Sequence, residues 1–167
     1  MSTKNKLNKC FKEGEKGERH KGLRKIELNG NKIINHLIKA EHNMKVITYL
    51  KDGGFSDWSA SAAFYTLYHC LLALCAKFEY ESKNQSCTFA LIEDLISKGE
   101  IKNITKEDLK EIFDTSVKDD LEHSDKILDI RERMQYSTKT KMENEAFNEL
   151  FERTKELFDK MKKEIEQ

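Results

Sequence analysis

Apolar residues along this 167-residue chain gather in short stripes separated by long charged stretches, and one segment stands apart from the rest. Between Ala60 and Phe78, Leu67, Leu71, Leu74 and Phe78 recur at helical spacing, while Ala60, Ala63, Phe64, Cys70 and Cys75 make the remaining faces apolar. A helix with apolar residues on several faces is one contacted on several sides, so this segment is the expected central buried helix. His69 and Lys77 interrupt it, and no unbroken apolar run reaches the roughly 20 residues a bilayer requires.

The other elements follow from the same periodicity. Ile33, Leu37, Ala40, Met44, Ile47 and Leu50 form one stripe, which predicts a helix from about Lys32 that Gly53 and Gly54 end with a left-handed cap. Ser56 or Asp57 can cap the central helix, with Trp58 at the junction. Residues 81–86 read as a polar loop. Phe89, Leu91, Ile92, Leu95 and Ile96 predict a short helix stopping at Gly99. Thr105 and Asp108 have capping-box spacing, and Leu109, Ile112, Phe113, Ser116, Leu121, Ile127 and Ile130 support a long helix to about Gln135, with a break near residues 118–125. After a turn over residues 136–141, Phe147, Leu150, Phe151, Leu157, Phe158, Met161 and Ile165 mark the clearest amphipathic helix, from Met142 to Ile165. The expected fold is all-α, an up-down bundle of four long helices plus one short helix over residues 31–167. Residues 1–30 form a basic leader, partly flexible or a short helix.

Composition supports that class. No proline occurs, glycines number seven, and 36% of residues are charged, which suits thin amphipathic helices and excludes sandwiches, barrels and glycine-rich phosphate loops. The net charge is zero, yet the first 25 residues carry nine Lys and Arg against three Glu, an excess of six. Such a leader either contacts phosphates or is a solvated arm. Cys10, Cys70, Cys75 and Cys87 show no C-x-x-C pairing; reduced thiols and a cytoplasmic location are the simplest expectation, with no signal peptide or membrane anchor.

Candidate chemistry is sparse. The five histidines have no metal-ligand spacing, so neither metal nor cofactor is expected. His69 lies among apolar residues one turn after Tyr65, and its imidazole needs a partner from Tyr65, Tyr68 or a facing helix. It is either a satisfied core histidine or part of a cleft wall. Arg131 follows Ile127 and Ile130, which can hold its guanidinium near the bundle to grip a phosphate; Arg131 and Arg133 equally suit the negative end of a helix dipole.

The run Ala62-Ala-Phe-Tyr-Thr-Leu-Tyr-His-Cys70 resembles the signature of the HEPN domain, particularly the small stand-alone HEPN proteins found beside minimal nucleotidyltransferases. The glycines at 54 and 99 fall in matching order, and Arg131 to Tyr136 matches an Arg-x-x-x-Asp-Tyr motif with Gln135 in the aspartate position. The resemblance implies a helical homodimer with both Arg motifs in one cleft. It also implies, for many members, a metal-independent ribonuclease built on Arg-x(4–6)-His. With four to six residues between, the positions after Arg131 are Tyr136, Ser137 and Thr138, and none is histidine. Tyrosine, with a pKa near 10, is a poor general base at neutral pH. His123 precedes Arg131 by eight residues, about 12 Å along a helix.

The expected function is therefore a catalytically degenerate HEPN-like protein, one component of a toxin–antitoxin pair. It binds nucleotide, RNA or a nucleotidyltransferase partner through a dimer cleft at Arg131, Arg133 and Tyr65, with Tyr136 the position for adenylate modification. The alternatives are a ribonuclease toxin using Arg131 with His69 or Tyr136, and a structural interaction module.

Overall fold

The computed structural model describes residues 2–17, 21–112 and 127–167. Among them are seven helices: α1 (Thr3–Glu15), α2 (Gly30–Asp52), α3 (Ser59–Lys77), α4 (Gln85–Ser97), α5 (Lys106–Ile112), α6 (Ile127–Tyr136) and α7 (Asn144–Glu166). Two three-residue strands, β1 (Leu23–Lys25) and β2 (Tyr80–Ser82), pair antiparallel. The fold is all-α in class, as its sequence predicts.

Helix α3 is the centre. Phe64, Leu67, Leu71 and Leu74 are fully buried, and α2, α4, α6 and α7 all pack on it. The segment Ser56–Lys77 is long and apolar enough to cross a membrane, but burial against these neighbours accounts for its apolarity. A side chain of the Leu or Phe type buried this completely contributes about 2–3 kcal/mol, so the α3 contacts dominate the core.

Helices α2 and α3 form an antiparallel pair. Gly54, at φ 84°, makes the turn, and the buried Ser59 hydroxyl donates to the Ile47 carbonyl across it at 2.9 Å. Contrary to expectation, neither Ser56 nor Asp57 caps α3. Residues Ser56–Trp58 form a 3₁₀ turn that leads directly into the helix, and Trp58 stands at the cap with no side-chain bond. Ser56 instead accepts from the Met142 amide at 2.8 Å, fastening the segment before α7 to the start of α3. At the other end Lys77 donates to the Glu164 carbonyl, so α7 runs parallel to α3 along its length.

The capping box at Thr105 forms as read: the Asp108 amide donates to the Thr105 hydroxyl at 3.1 Å and the Thr105 amide to the Asp108 carboxylate at 3.0 Å. Asp108, almost wholly buried, also receives Arg153 and Lys160 of α7. The expected helix from Thr105 to Gln135 is represented by α5 and α6; its middle, including the break near residues 118–125 and His123, lies outside the described residues.

Two sequence expectations are overturned beside the leader. Residues 81–86 are not simply a loop, because Tyr80–Ser82 pairs as β2 with β1, Arg24 opposite Glu81. Pairing between residues about sixty apart leaves no trace in local periodicity. Nor are Cys10 and Cys87 reduced thiols: they form a disulfide spanning 77 residues, because α1 lies across the start of α4. Cys70 and Cys75 are free and buried within α3. Helix α1 comes so close to β1 that a Cβ on Gly14 would sit 1.9 Å from the Leu23 carbonyl oxygen, and Gly22, at φ 81°, meets the Gly14 backbone in turn.

Candidate functional site

The face of α3 left uncovered by its neighbours carries Trp58 at its start, then Ser61, Tyr65, and His69, each about one turn after the last. Trp58 is 59% exposed and Tyr65 41%, unusual values for large aromatics on the central helix of a bundle.

Helix α6 lies beside this face. Ile127, Ile130 and Met134 are buried and set its orientation, which turns Arg131 toward α3. The Arg131 guanidinium carbon lies 4.5 Å from the centre of the Phe64 ring and 5.7 Å from that of Tyr65. The rings themselves meet edge to face at 5.3 Å. Arg131 Nε is buried and has no hydrogen-bond partner, and among the described residues no carboxylate pairs with the side chain. Stacking on an aromatic face holds a guanidinium flat while leaving its outer N–H groups available to an anion.

His69 is one turn beyond Tyr65, and its partner comes from the facing helix. Nδ1 of His69 lies 3.1 Å from Nδ1 of His36 in α2, so one neutral ring donates and the other accepts. Burial, with help from His69 and Lys32, lowers the His36 pKa to about 4. His69 is also lowered, by burial and then by Lys39. Both imidazoles are therefore uncharged at neutral pH. Tyr68 faces elsewhere: stacked between Phe64 and Phe89, with its hydroxyl 3.3 Å from that of Thr88, it is a wall residue whose pKa burial raises.

The structure thus brings together Arg131, Tyr65 and the turn of α3 that carries His69. It does not bring Tyr136 to the same face. Five residues beyond Arg131, at about 100° per residue, Tyr136 points well around α6 and is 81% exposed. Arg133, two residues from Arg131, likewise leaves α6 on another side. Between the end of α6 and the start of α3 is a groove lined by Asp57, Trp58, Ser61, Met134, Gln135, Ser137 and Lys139. Two contributors escaped the sequence reading: Phe64, which looked like core alone, and His36, whose six-residue spacing from His42 pointed nowhere. Only the antiparallel register of α2 and α3 places His36 against His69. Among the described residues no group of three or more His, Cys, Asp or Glu is arranged to hold a metal ion.

No curated protein and no solved structure matches the chain. The family model of the HEPN domain matches residues 35–165, a span that begins just before His36 in α2, includes the whole α3 face with Arg131 stacked upon it, and ends in the last turn of α7. With most of its length covered, this chain belongs to the HEPN domain family.

Proposed function

We propose that this HEPN protein binds a nucleotide or RNA strand at the Arg131 face and is degenerate as a nuclease. The observation that carries the reading is the Arg131 guanidinium, laid over Phe64 with its Nε buried and unpartnered. A cation fixed in place and, among the described residues, without a carboxylate partner is suited to a phosphate. Tyr65 and Trp58, exposed on either side of Ser61, supply ring faces on which bases stack, typically at about 1–3 kcal/mol per base. The position where an Arg-x(4–6)-His nuclease needs its imidazole carries Tyr136, a phenol turned away from Arg131. In this reading the protein acts as a homodimer in the cytoplasm, with a minimal nucleotidyltransferase as partner in a toxin–antitoxin pair. The exposed Tyr136 hydroxyl is then the acceptor for adenylate.

Trp58 is the single tryptophan of the chain and lines the groove, so its emission reports occupancy directly. Titration with nucleotides and short RNA should change Trp58 fluorescence saturably, and Arg131→Ala should remove the response. Metal-free RNA cleavage abolished by Arg131→Ala would overturn the degenerate reading. A flat titration would leave only a structural interaction module.

The second reading, a ribonuclease toxin, is favoured by one observation: His69 is neutral and lies one turn from Tyr65, which Arg131 touches. A neutral imidazole can accept a proton from a ribose hydroxyl. It requires that His69→Ala relieve growth arrest caused by expression of the protein.

A further inference from the structure

Cys10 and Cys87 are almost wholly buried, at 3% and 2% exposure, and both contribute to the wall of a cleft of about 600 Å³ whose other lining is Lys6, Lys9, Glu13, Lys21, Asn84 and Ser86. That volume falls within the range that accepts small organic ligands. Its charged lining is Lys6, Lys9 and Lys21 with Glu13. Lys9 spends part of its charge on Glu13, at 3.8 Å, one turn along α1.

The two sulfurs are not equivalent. Cys10 lies in the middle of α1. Cys87 lies in the first turn of α4, three residues after the cap Asn84, whose side chain accepts from the Cys87 amide at 2.8 Å. The positive end of a helix dipole stabilises a thiolate there, which makes Cys87 the better leaving group in exchange. The remaining cysteines do not compete: burial raises Cys75 to about 12 and Cys70 higher still, so both stay protonated and inert.

We propose that Cys10 is a thiol-exchange site, at which a small anionic thiol of the glutathione type, drawn into the lysine-rimmed cleft, opens the disulfide that ties α1 to α4. The incoming thiolate attacks Sγ of Cys10. The Cys10–Cys87 bond breaks, Cys87 leaves as a thiolate and takes a proton from water, and Cys10 carries a mixed disulfide. A second thiolate attacks the small-molecule sulfur of that mixed disulfide, releasing the oxidised small-molecule disulfide and a Cys10 thiolate, which is protonated in turn. Two small thiols are oxidised and one cystine is reduced. Opening severs the covalent tie of the basic helix α1, leaving its contacts with α4 and β1. The proposal is independent of the Arg131 reading.

The test uses the oxidised, folded full-length protein without denaturant. Opening is followed by acid quench, alkylation and intact mass, with glutathione, which is anionic, compared with cysteamine, whose amine is cationic, at equal thiolate concentration. At low salt glutathione should open the bond faster by on the order of tenfold. The advantage should shrink at high salt and in Lys6→Gln/Lys9→Gln, which removes two of the positive charges at the cleft, and peptide mapping should find the trapped adduct on Cys10. Equal or faster reaction with cysteamine, an adduct confined to Cys87, or no opening until the protein unfolds would each overturn it.

Discussion

His36 and His69, 33 residues apart, bring their Nδ1 atoms to 3.1 Å across the α2–α3 interface. Each ring is half-buried, each has a lowered pKa, and protonating either would place a cation against its neighbour and beside Lys32 or Lys39. The folded state therefore resists protonation that the unfolded chain accepts. The resulting stabilisation is complete above the unfolded value of 6.5 and is lost as pH falls from there toward about 4. Chemical denaturation at about pH 7.5 and 5 should show a loss of stability that His36→Gln reduces by roughly 1 kcal/mol, a figure discounted for the partial exposure of the rings. An unchanged pH dependence in the variant would mean the pair does not titrate as described.

The Arg131 guanidinium carbon sits over the Phe64 ring. Arg131→Lys keeps the charge but cannot spread over Phe64, so nucleotide affinity should fall by about tenfold, against a near-complete loss for Arg131→Ala. Titration followed by Trp58 fluorescence measures both. Equal affinity for Lys and Arg would show that only net charge matters.

Ser56 serves an amide 86 residues away. Ser56→Ala leaves the Met142 N–H buried without an acceptor and should cost about 1–3 kcal/mol. Urea denaturation monitored by circular dichroism checks the size. Ser61→Ala, on the same stretch but half-exposed, is the control and should be nearly silent.

Asp108 gathers Thr105, Arg153 and Lys160 around one buried carboxylate. Burial pushes its pKa up, but the hydrogen bonds from the Thr105 amide and Lys160 prevail and hold it below the ordinary carboxylate value. Asp108→Ala leaves the Thr105 amide without its acceptor and takes one carboxylate partner from Arg153 and from Lys160, which keep Glu111 and Glu156, and should destabilise by about 2 kcal/mol. In the wild type this contribution is present above the unfolded pKa of 3.8 and fades as pH falls below it.

Gly14→Ala tests whether α1 and β1 truly meet backbone to backbone. A methyl group there collides with the Leu23 carbonyl, so α1 must move off β1. Amide hydrogen exchange across residues 3–25 should accelerate while α3 stays protected. Unchanged exchange would contradict the close approach.

Much of the fold was legible because helical burial repeats every three to four residues. Ile33 to Leu50, Leu67 to Phe78 and Phe147 to Ile165 announce α2, α3 and α7, and the Thr105–Asp108 box announces the start of α5. The signature from Ala62 to Cys70 carries the resemblance to the HEPN family in the sequence alone. The candidate site was half legible. Arg131 stands out by its motif, and His69 by being an imidazole in apolar surroundings. Phe64 could not be told from an ordinary core residue, since its role as platform depends on where α6 lies.

By itself, then, the chain's order of residues determined what repeats locally: helix positions, the central place of α3, the absence of a histidine after Arg131, and family membership. Only the tertiary structure decided what meets across distance. It joined Cys10 to Cys87, paired Leu23–Lys25 with Tyr80–Ser82, set His36 against His69 and turned Arg131 onto Phe64 but Tyr136 away from it. The physical reason is that periodicity records how strongly a side chain must avoid water, whereas the identity of its neighbour is chosen by helix register and crossing, to which residues far apart in the chain contribute jointly.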